Sequence, residues 1–268
     1  MTPWICATCC VEFSPSLNPP ARCPICEDER QYVGAGGQRW TSMSELGQSH
    51  TNQWVEIEPC LTGIGVNPST GIGQRALLVQ TDKGNVLWDC TPLITAETIA
   101  QIKSLGGVVA MTMSHPHFYA AMVSWSQALG GVPILLPEAD KDHVMRPDPA
   151  ITYWQGDALT IVPGVRAVRC GGHFAGSTVL HWAAGAGGDG ILLTGDTIQV
   201  VPDAGWLSFM RSYPNLIPLP GHVVRQIAAT VAPLEFDRLY GGWWDKFLLQ
   251  GAHAAVQRSA DRYVKALD

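Results

Sequence analysis

Four cysteines near the N-terminus carry the first chemical signal. Cys6, Cys9, Cys23 and Cys26 fall in two C-x2-C pairs thirteen residues apart. A two-residue spacer lets both sulfurs of a pair point to one centre, and two such pairs on tight turns can close a tetrahedral shell of thiolates around one ion. Disulfides would require an oxidising compartment. The opening MTPWICATCC lacks a basic region followed by an apolar core and so does not read as an export signal. The spacing therefore points to metal. Cys10, Cys60, Cys90 and Cys170 are scattered and read as small buried hydrophobes, with Cys10 a spare thiol beside the cluster.

Histidines supply the second signal, in three separated pieces. Thr112-Met113-Ser114-His115-Pro116-His117 follows an apolar run, and an HxH pair at a strand end can aim two imidazoles at one ion. Cys170-Gly171-Gly172-His173-Phe174-Ala175-Gly176-Ser177 surrounds one histidine with glycines, which permit a sharply turned loop. Ile191-Leu192-Leu193-Thr194-Gly195-Asp196 is an apolar strand ending in a carboxylate. Singly, each has an ordinary reading as loop or turn residues. His50, His143, His181 and His253 match no such piece and read as surface or satisfied core residues.

The elements that must position these groups are legible in outline. Residues 1–38 are rich in Cys and Pro, cannot build a core of their own and need a staple; the run Gly34-Ala35-Gly36-Gly37 closes them as a hinge. Residues 39–268 change character. Arg75–Gln80 and Val86–Asp89 read as strands joined by the turn Asp82-Lys83-Gly84-Asn85. Thr95–Leu105 puts Ile99, Ile102 and Leu105 on one helical face, ended by Gly106-Gly107. Val108–Met113 and Val132–Leu136 are expected as strands, and Phe118–Leu129, His222–Thr230 and Ala252–Ala266 as helices. Strands and helices mixed throughout predict a layered α/β domain. Formal net charge is −6 with no basic stripe, which argues against nucleic-acid binding. No apolar stretch is long enough to span a bilayer, and the expectation is a cytoplasmic protein.

Trp4, Pro19-Pro20 and Cys23-Pro24-Ile25-Cys26 resemble rubredoxin, and the same pattern resembles zinc ribbons. The spacer is short for rubredoxin and core aromatics are few, so structural zinc is favoured over iron; a metal would supply folding energy that so small a core cannot. The order HxH, GH-x-x-GS, TGD resembles the metallo-β-lactamase superfamily. So does the upstream stretch Gly73–Val79 and Gly84–Cys90, where an aspartate at the place of Asp89 buttresses the metal loop. The resemblance covers roughly residues 57–240. It implies an αββα sandwich with a metal groove at one sandwich edge.

The departures from that pattern matter equally. The superfamily's HxHxDH continues here with Tyr119 and Ala120, and the region of its final histidine reads Tyr240-Gly241-Gly242-Trp243-Trp244. Gly221-His222 sits too early and opens a helical stretch. The resemblance thus implies one zinc, or another divalent metal, on His115, His117 and His173, with Asp196 as fourth ligand or close neighbour. Such an ion keeps its charge and an open position, the arrangement that lowers a bound water's pKa to ~7. Asp196 would orient the nucleophile or take its proton. Tyr119 would donate to substrate or fill the vacated space, the latter being favoured, and Trp206, Trp243 and Trp244 either line a substrate pocket or pack in the core. The expected reaction is hydrolysis of an ester, thioester, lactone or lactam carbonyl in a small-molecule substrate, by a chain that can form homo-oligomers. Two other classes remain: a non-catalytic metal- or partner-binding protein, and a rubredoxin-like electron-transfer protein.

Overall fold

A computed structural model describes residues 1–267. The N-terminal unit pairs β1 (Ile5–Cys6) with β2 (Trp40–Thr41), antiparallel, and contains the single-turn helix α1 (Pro24–Glu27), with proline in its first turn where the missing N–H costs nothing. A second single turn, α2 (Met43–Leu46), is capped by Ser42, whose Oγ accepts from the Glu45 N–H.

Two sheets follow. The first runs in spatial order β3 (Thr51–Glu58), β4 (Leu61–Asn67), β5 (Ala76–Val79), β6 (Val86–Trp88), β7 (Ala110–Thr112), β8 (Ile134–Pro137) and β9 (Ile151–Trp154). Its first four strands are antiparallel neighbours, and parallel pairing begins between β6 and β7, where Trp88 faces Thr112. The second sheet is β10 (Ala158–Val162), β11 (Val165–Arg169), β12 (Thr178–Trp182), β13 (Ile191–Leu193), β18 (Arg238–Tyr240) and β19 (Phe247–Leu248), with β13 and β18 parallel. Between β13 and β18 the chain forms two small ribbons, β14 (Gln199–Val200) with β15 (Leu207–Ser208) and β16 (Met210–Ser212) with β17 (Ile217–Pro218).

Strand alternation sorts the side chains into layers. Leu77, Val79, Val86 and Trp88 of the first sheet meet Leu180, Trp182, Ile191 and Leu193 of the second in a core between the sheets. The intervening Leu78, Leu87 and Met111 point the other way, onto α3 (Ala96–Ser104) and α4 (Met122–Ala128). Likewise Val179 and Leu192 pack against α5 (Gly221–Val231) and α6 (Ala252–Lys265). Each such buried aliphatic side chain contributes roughly 1.5–3 kcal/mol. The result is the expected αββα sandwich. Helix α3 starts on Thr95, whose Oγ1 accepts from Thr98 N–H, and ends at Gly106 and Gly107, both at positive φ.

Three local differences from the sequence reading have physical causes. The helix expected from Phe118 begins at Met122, because Pro116–Phe118 forms a tighter 3-10 turn and Ala120 takes a positive φ of 34°. The β3–β4 hairpin adds two strands that sequence reasoning did not identify. Cys60, expected to be buried, sits exposed at the tip of that hairpin with φ 67°.

The N-terminal unit is welded to the sandwich. Ile5, Val11 and Ile25 share one core with Met111, Met113 and Tyr119. Glu12 donates its backbone N–H to Ala120 O at 2.9 Å, while its buried carboxylate accepts from Ser124 Oγ at 2.6 Å and pairs with Arg146. Among the described residues, no helix is long and apolar enough to cross a membrane.

Candidate metal centres

The four N-terminal sulfurs converge. Cys6 Sγ lies 3.5 Å from Cys26 Sγ and Cys9 Sγ 3.7 Å from Cys23 Sγ, and all four lie within 4.8 Å of one another. A tetrahedral ion with Zn–S of ~2.3 Å requires sulfur edges of ~3.8 Å. No disulfide joins them. Gln38 Nε2 donates to Cys6 Sγ at 3.2 Å, so the chain beyond the glycine run also serves the cluster. Burial holds the Cys9 thiol well above its ordinary range, so four thiolates packed this tightly call for a cation.

The second cluster forms at the ends of three strands. His115 and His117 follow β7, His173 lies in the loop between β11 and β12, and Asp196 follows β13. Their ligand atoms also lie within 4.8 Å of one another, and all four side chains are buried. His115 Nε2 is 3.4 Å and His173 Nε2 3.7 Å from Asp196 Oδ2, and His173 Nε2 is 3.3 Å from His117 Nδ1. His115 Nε2, His117 Nε2 and Asp196 Oδ1 have no hydrogen-bond partner. Buried polar atoms are rarely left so; the convergence of His115 Nε2, His117 Nδ1, His173 Nε2 and Asp196 Oδ2 without a proton shared among all four is what a cation would satisfy.

Outer contacts fix which nitrogens face the centre. His173 Nδ1 donates to Met210 O at 3.1 Å, which leaves Nε2 as the acceptor. His115 Nδ1 lies 2.9 Å from Ser114 Oγ. That hydroxyl donates to Asp89 Oδ1 at 2.9 Å, and the Ser114 N–H donates to the same oxygen at 2.7 Å. Asp89 sits at φ 60°, a left-handed position that aspartate tolerates, and so turns its carboxylate under the metal loop. This is the buttress that the resemblance implied. Burial raises the Asp89 carboxyl well above the usual carboxylate range, and the Ser114 hydrogen bonds oppose that shift. Burial likewise lowers His173 to about 4, with the His115 charge adding to the effect. Neutral imidazoles are the form that binds metal.

Gly195 is required by the same geometry. Its φ is 50°, and a Cβ there would stand 2.4 Å from Ser114 Oγ. The glycine of Thr-Gly-Asp thus makes room for the serine that orients His115.

Tyr119 is buried in the core that joins the N-terminal unit to the first sheet, its hydroxyl without a partner. Its hydroxyl pKa is raised by burial and then by the charges of Asp140 and Tyr153. Trp243 turns inward too: Nε1 donates to Ile72 O at 2.7 Å and the ring meets Phe118 edge-on. His222 is exposed on the first turn of α5.

Two contributors escaped sequence reasoning. Arg30, from the N-terminal unit, places its guanidinium 3.7 Å from the Phe174 ring centroid and donates from Nη1 to His173 O at 3.2 Å. Asp140 accepts from the Gly176 N–H at 2.8 Å and holds the far end of the histidine loop. The charge run Glu27–Arg30, directly after Cys26, was the available signal for the first.

No family model matches the chain. It is 46% identical to the uncharacterized protein YmaE of Bacillus subtilis (strain 168) over 267 residues, 99% of this chain and 97% of that one. Among solved structures it superposes on the DIM-1 metallo-β-lactamase exposed to ceftazidime with a TM-score of 0.60, at 11% identity, covering 81% of this chain and 98% of that chain. For TMB-1 the TM-score is also 0.60, at 13% identity, with 81% and 99% covered. The chain therefore belongs to the family of Bacillus subtilis YmaE, and its fold is that of the metallo-β-lactamases.

Proposed function

We propose that the chain is a metal-dependent hydrolase that holds one divalent ion on His115, His117, His173 and Asp196, and acts on an ester, thioester, lactone or lactam-type carbonyl of a small molecule. The observation that carries this reading is the buried convergence of the four ligand atoms, two of the imidazoles being locked in one tautomer from outside. Zinc suits the three imidazoles. Bound there, such an ion supplies a Lewis acid and a water activated near neutral pH. Asp196 presents Oδ2 to His115 and His173 and keeps Oδ1 free, so it can orient the nucleophile and take its proton.

A single ion is favoured because the positions that carry second-metal ligands in the resemblance are filled otherwise. Ala120 offers no side-chain ligand, Tyr119 faces the core, and Trp243 is committed to Ile72 O. We assign Tyr119 to packing. One ion argues against phosphodiester cleavage, where two ions commonly clamp the attacking and leaving oxygens. For the cysteine cluster we favour structural zinc, and we place the chain in the cytoplasm, where reduced thiols keep such a cluster intact.

Element analysis of the purified chain together with a panel of ester, thioester, lactone and lactam substrates tests this reading. One zinc per cluster, and activity lost with the second ion in His117→Ala, is the expected result. Metal at the histidine cluster without turnover of any class would instead favour a binding protein. A coloured, iron-loaded cysteine cluster would favour electron transfer.

A further inference from the structure

A groove of about 280 Å³ opens between β3 and the β18–β19 hairpin. Val55 and Ile57 form one side, Trp244, Phe247 and Leu249 the other, and Arg75 lies beneath them. Val55, Phe247 and Leu249 are 36%, 42% and 53% exposed, so the groove presents an apolar surface to solvent. Its wall is built in: a Cβ on Gly63 or Gly65 would come within 2.6 or 2.7 Å of the Trp244 ring, so glycine at both positions lets the indole lie flat against β4.

Arg75 is only 2% exposed. Of its five guanidinium donors, Nη2 donates to Gly241 O at 3.2 Å, and Nε has no partner. The guanidinium stands 5.1 Å from the Trp244 ring. The neighbouring acids are taken: Glu58 pairs with Arg238 at 2.6 Å and accepts from Tyr240, and Asp245 pairs with Lys246 at 3.1 Å. Burial pushes the Arg75 pKa down to about 10, which leaves it charged at neutral pH. Asp245 acts on it only at a distance, and a buried cation without a direct carboxylate partner is costly unless an anion reaches it.

We infer that this groove binds the carboxylate of a medium-chain aliphatic acid, its head group on Arg75 and its chain along Val55, Phe247 and Leu249. A planar carboxylate matches the guanidinium fork. The single cation and the exposed Glu56 at the rim disfavour a multiply charged head group. The volume lies near the ~300 Å³ lower end of small-molecule sites, which suits one chain and no larger ligand. No residue of the groove belongs to either metal cluster, so the inference stands apart from the hydrolase reading.

Calorimetric titration of the metal-loaded protein with decanoate, decanol and decylamine tests it. Decanoate is expected to bind, with the alcohol and amine weaker by about tenfold or more, the worth of a charge-assisted contact. Arg75→Met, which keeps the side chain's length and removes an unpaired buried charge, should weaken decanoate by about tenfold without lowering the melting temperature. Phe247→Asp alters an exposed rim residue, keeps the fold, and should weaken decanoate by a similar ~10-fold through like-charge repulsion. No binding of decanoate to the wild-type protein would overturn the inference, as would equal binding of all three ligands, or affinity unchanged in Phe247→Asp. So would a dimer in sedimentation that buries Phe247.

Discussion

Arg30 Nη1 donates to the backbone carbonyl of His173 at 3.2 Å, so the cysteine unit reaches a member of the histidine cluster. The contact is braced on both sides. Asp28 holds the guanidinium through Nε and Nη2 at 2.6 and 2.7 Å, and the guanidinium covers Phe174, whose ring packs against His117. Asn215 Nδ2 donates to Glu29 O and Gln31 O at 2.9 and 2.8 Å, and Ser212 Oγ donates to Arg30 O at 3.0 Å. That same stretch supplies Met210 O, the acceptor for His173 Nδ1. The loop after Cys26 therefore roofs the histidine cluster, and a metal held by the four cysteines would bear on both.

Cys9→Ser should show this coupling directly. Loss of one thiolate weakens the cysteine cluster, whose core is continuous with that of the sandwich. The expected outcome is one cooperative unfolding transition at a lower temperature, with faster metal loss from the histidine centre. Two separate transitions in calorimetry, the second unchanged from wild type, would show that the units are independent.

Arg30→Met separates the roof from the cysteine metal. It deletes hydrogen bonds made by a charged group, each a net contribution of about 1.5–3 kcal/mol. The side chain is 12% exposed, so the stability loss should fall within that range. Chelator competition should show metal leaving the histidine centre faster while metal on the four cysteines is retained. Equal release from both clusters would contradict the assignment.

What was legible in the sequence divides along physical lines. Both clusters could be read because metal-binding chemistry favours fixed residue types at short spacing, and Cys6, Cys9, His115 and His117 sit in such spacings. A layered α/β domain could be read because strands such as Leu77–Val79 and Ile191–Leu193 are continuously apolar, buried on both faces; the αββα order of the layers was implied by the resemblance alone. The roof could not. Arg30 acts on His173 across 143 positions, and local pattern carries no record of a contact set by docking. The β3–β4 hairpin was missed because Thr51–Glu58 is largely polar and half-exposed, with its pairing supplied by β4. Ala120 likewise hid the break before α4, since alanine is a strong helix former forced to positive φ by the turn that aims His117.

Asp89→Asn tests the buttress. The amide keeps an oxygen that can accept from both the Ser114 N–H and its hydroxyl but removes the charge that strengthens those bonds, so the hold on Ser114, and through it on His115, loosens. Metal affinity at the histidine centre should fall about 10- to 100-fold, the range for outer ligand partners. Fluorescent-indicator competition reads it, and affinity within about twofold of wild type would remove Asp89 from this role.

Gly195→Ala strikes the same serine from the other side. The new methyl would meet Ser114 Oγ at 2.4 Å on a backbone already at φ 50°. Strain of that kind costs about 1–3 kcal/mol. The variant should melt earlier and hold less metal on the histidines, with the cysteine cluster still filled. A variant with wild-type metal content and melting would show that Ser114 can move aside freely.

Thiol labelling offers a reading that needs no substrate. Cys60 is exposed at a hairpin tip, whereas Cys10 and Cys170 are buried and their thiols pushed up to about 12 by desolvation. Burial drives Cys90 in the same direction, and its Sγ is held against Tyr119 O at 3.3 Å. A thiol at such a pKa has almost no thiolate at neutral pH, and the thiolate is the nucleophile. In the metal-loaded native protein one thiol should therefore react promptly with a disulfide reagent, and Cys60→Ser should abolish that phase. Strong chelation should then release Cys6, Cys9, Cys23 and Cys26 as a second phase, leaving Cys10, Cys90 and Cys170 silent until the chain unfolds. A prompt phase that survives Cys60→Ser would mean that the cysteine cluster is open in the loaded protein, and the roof over His173 with it.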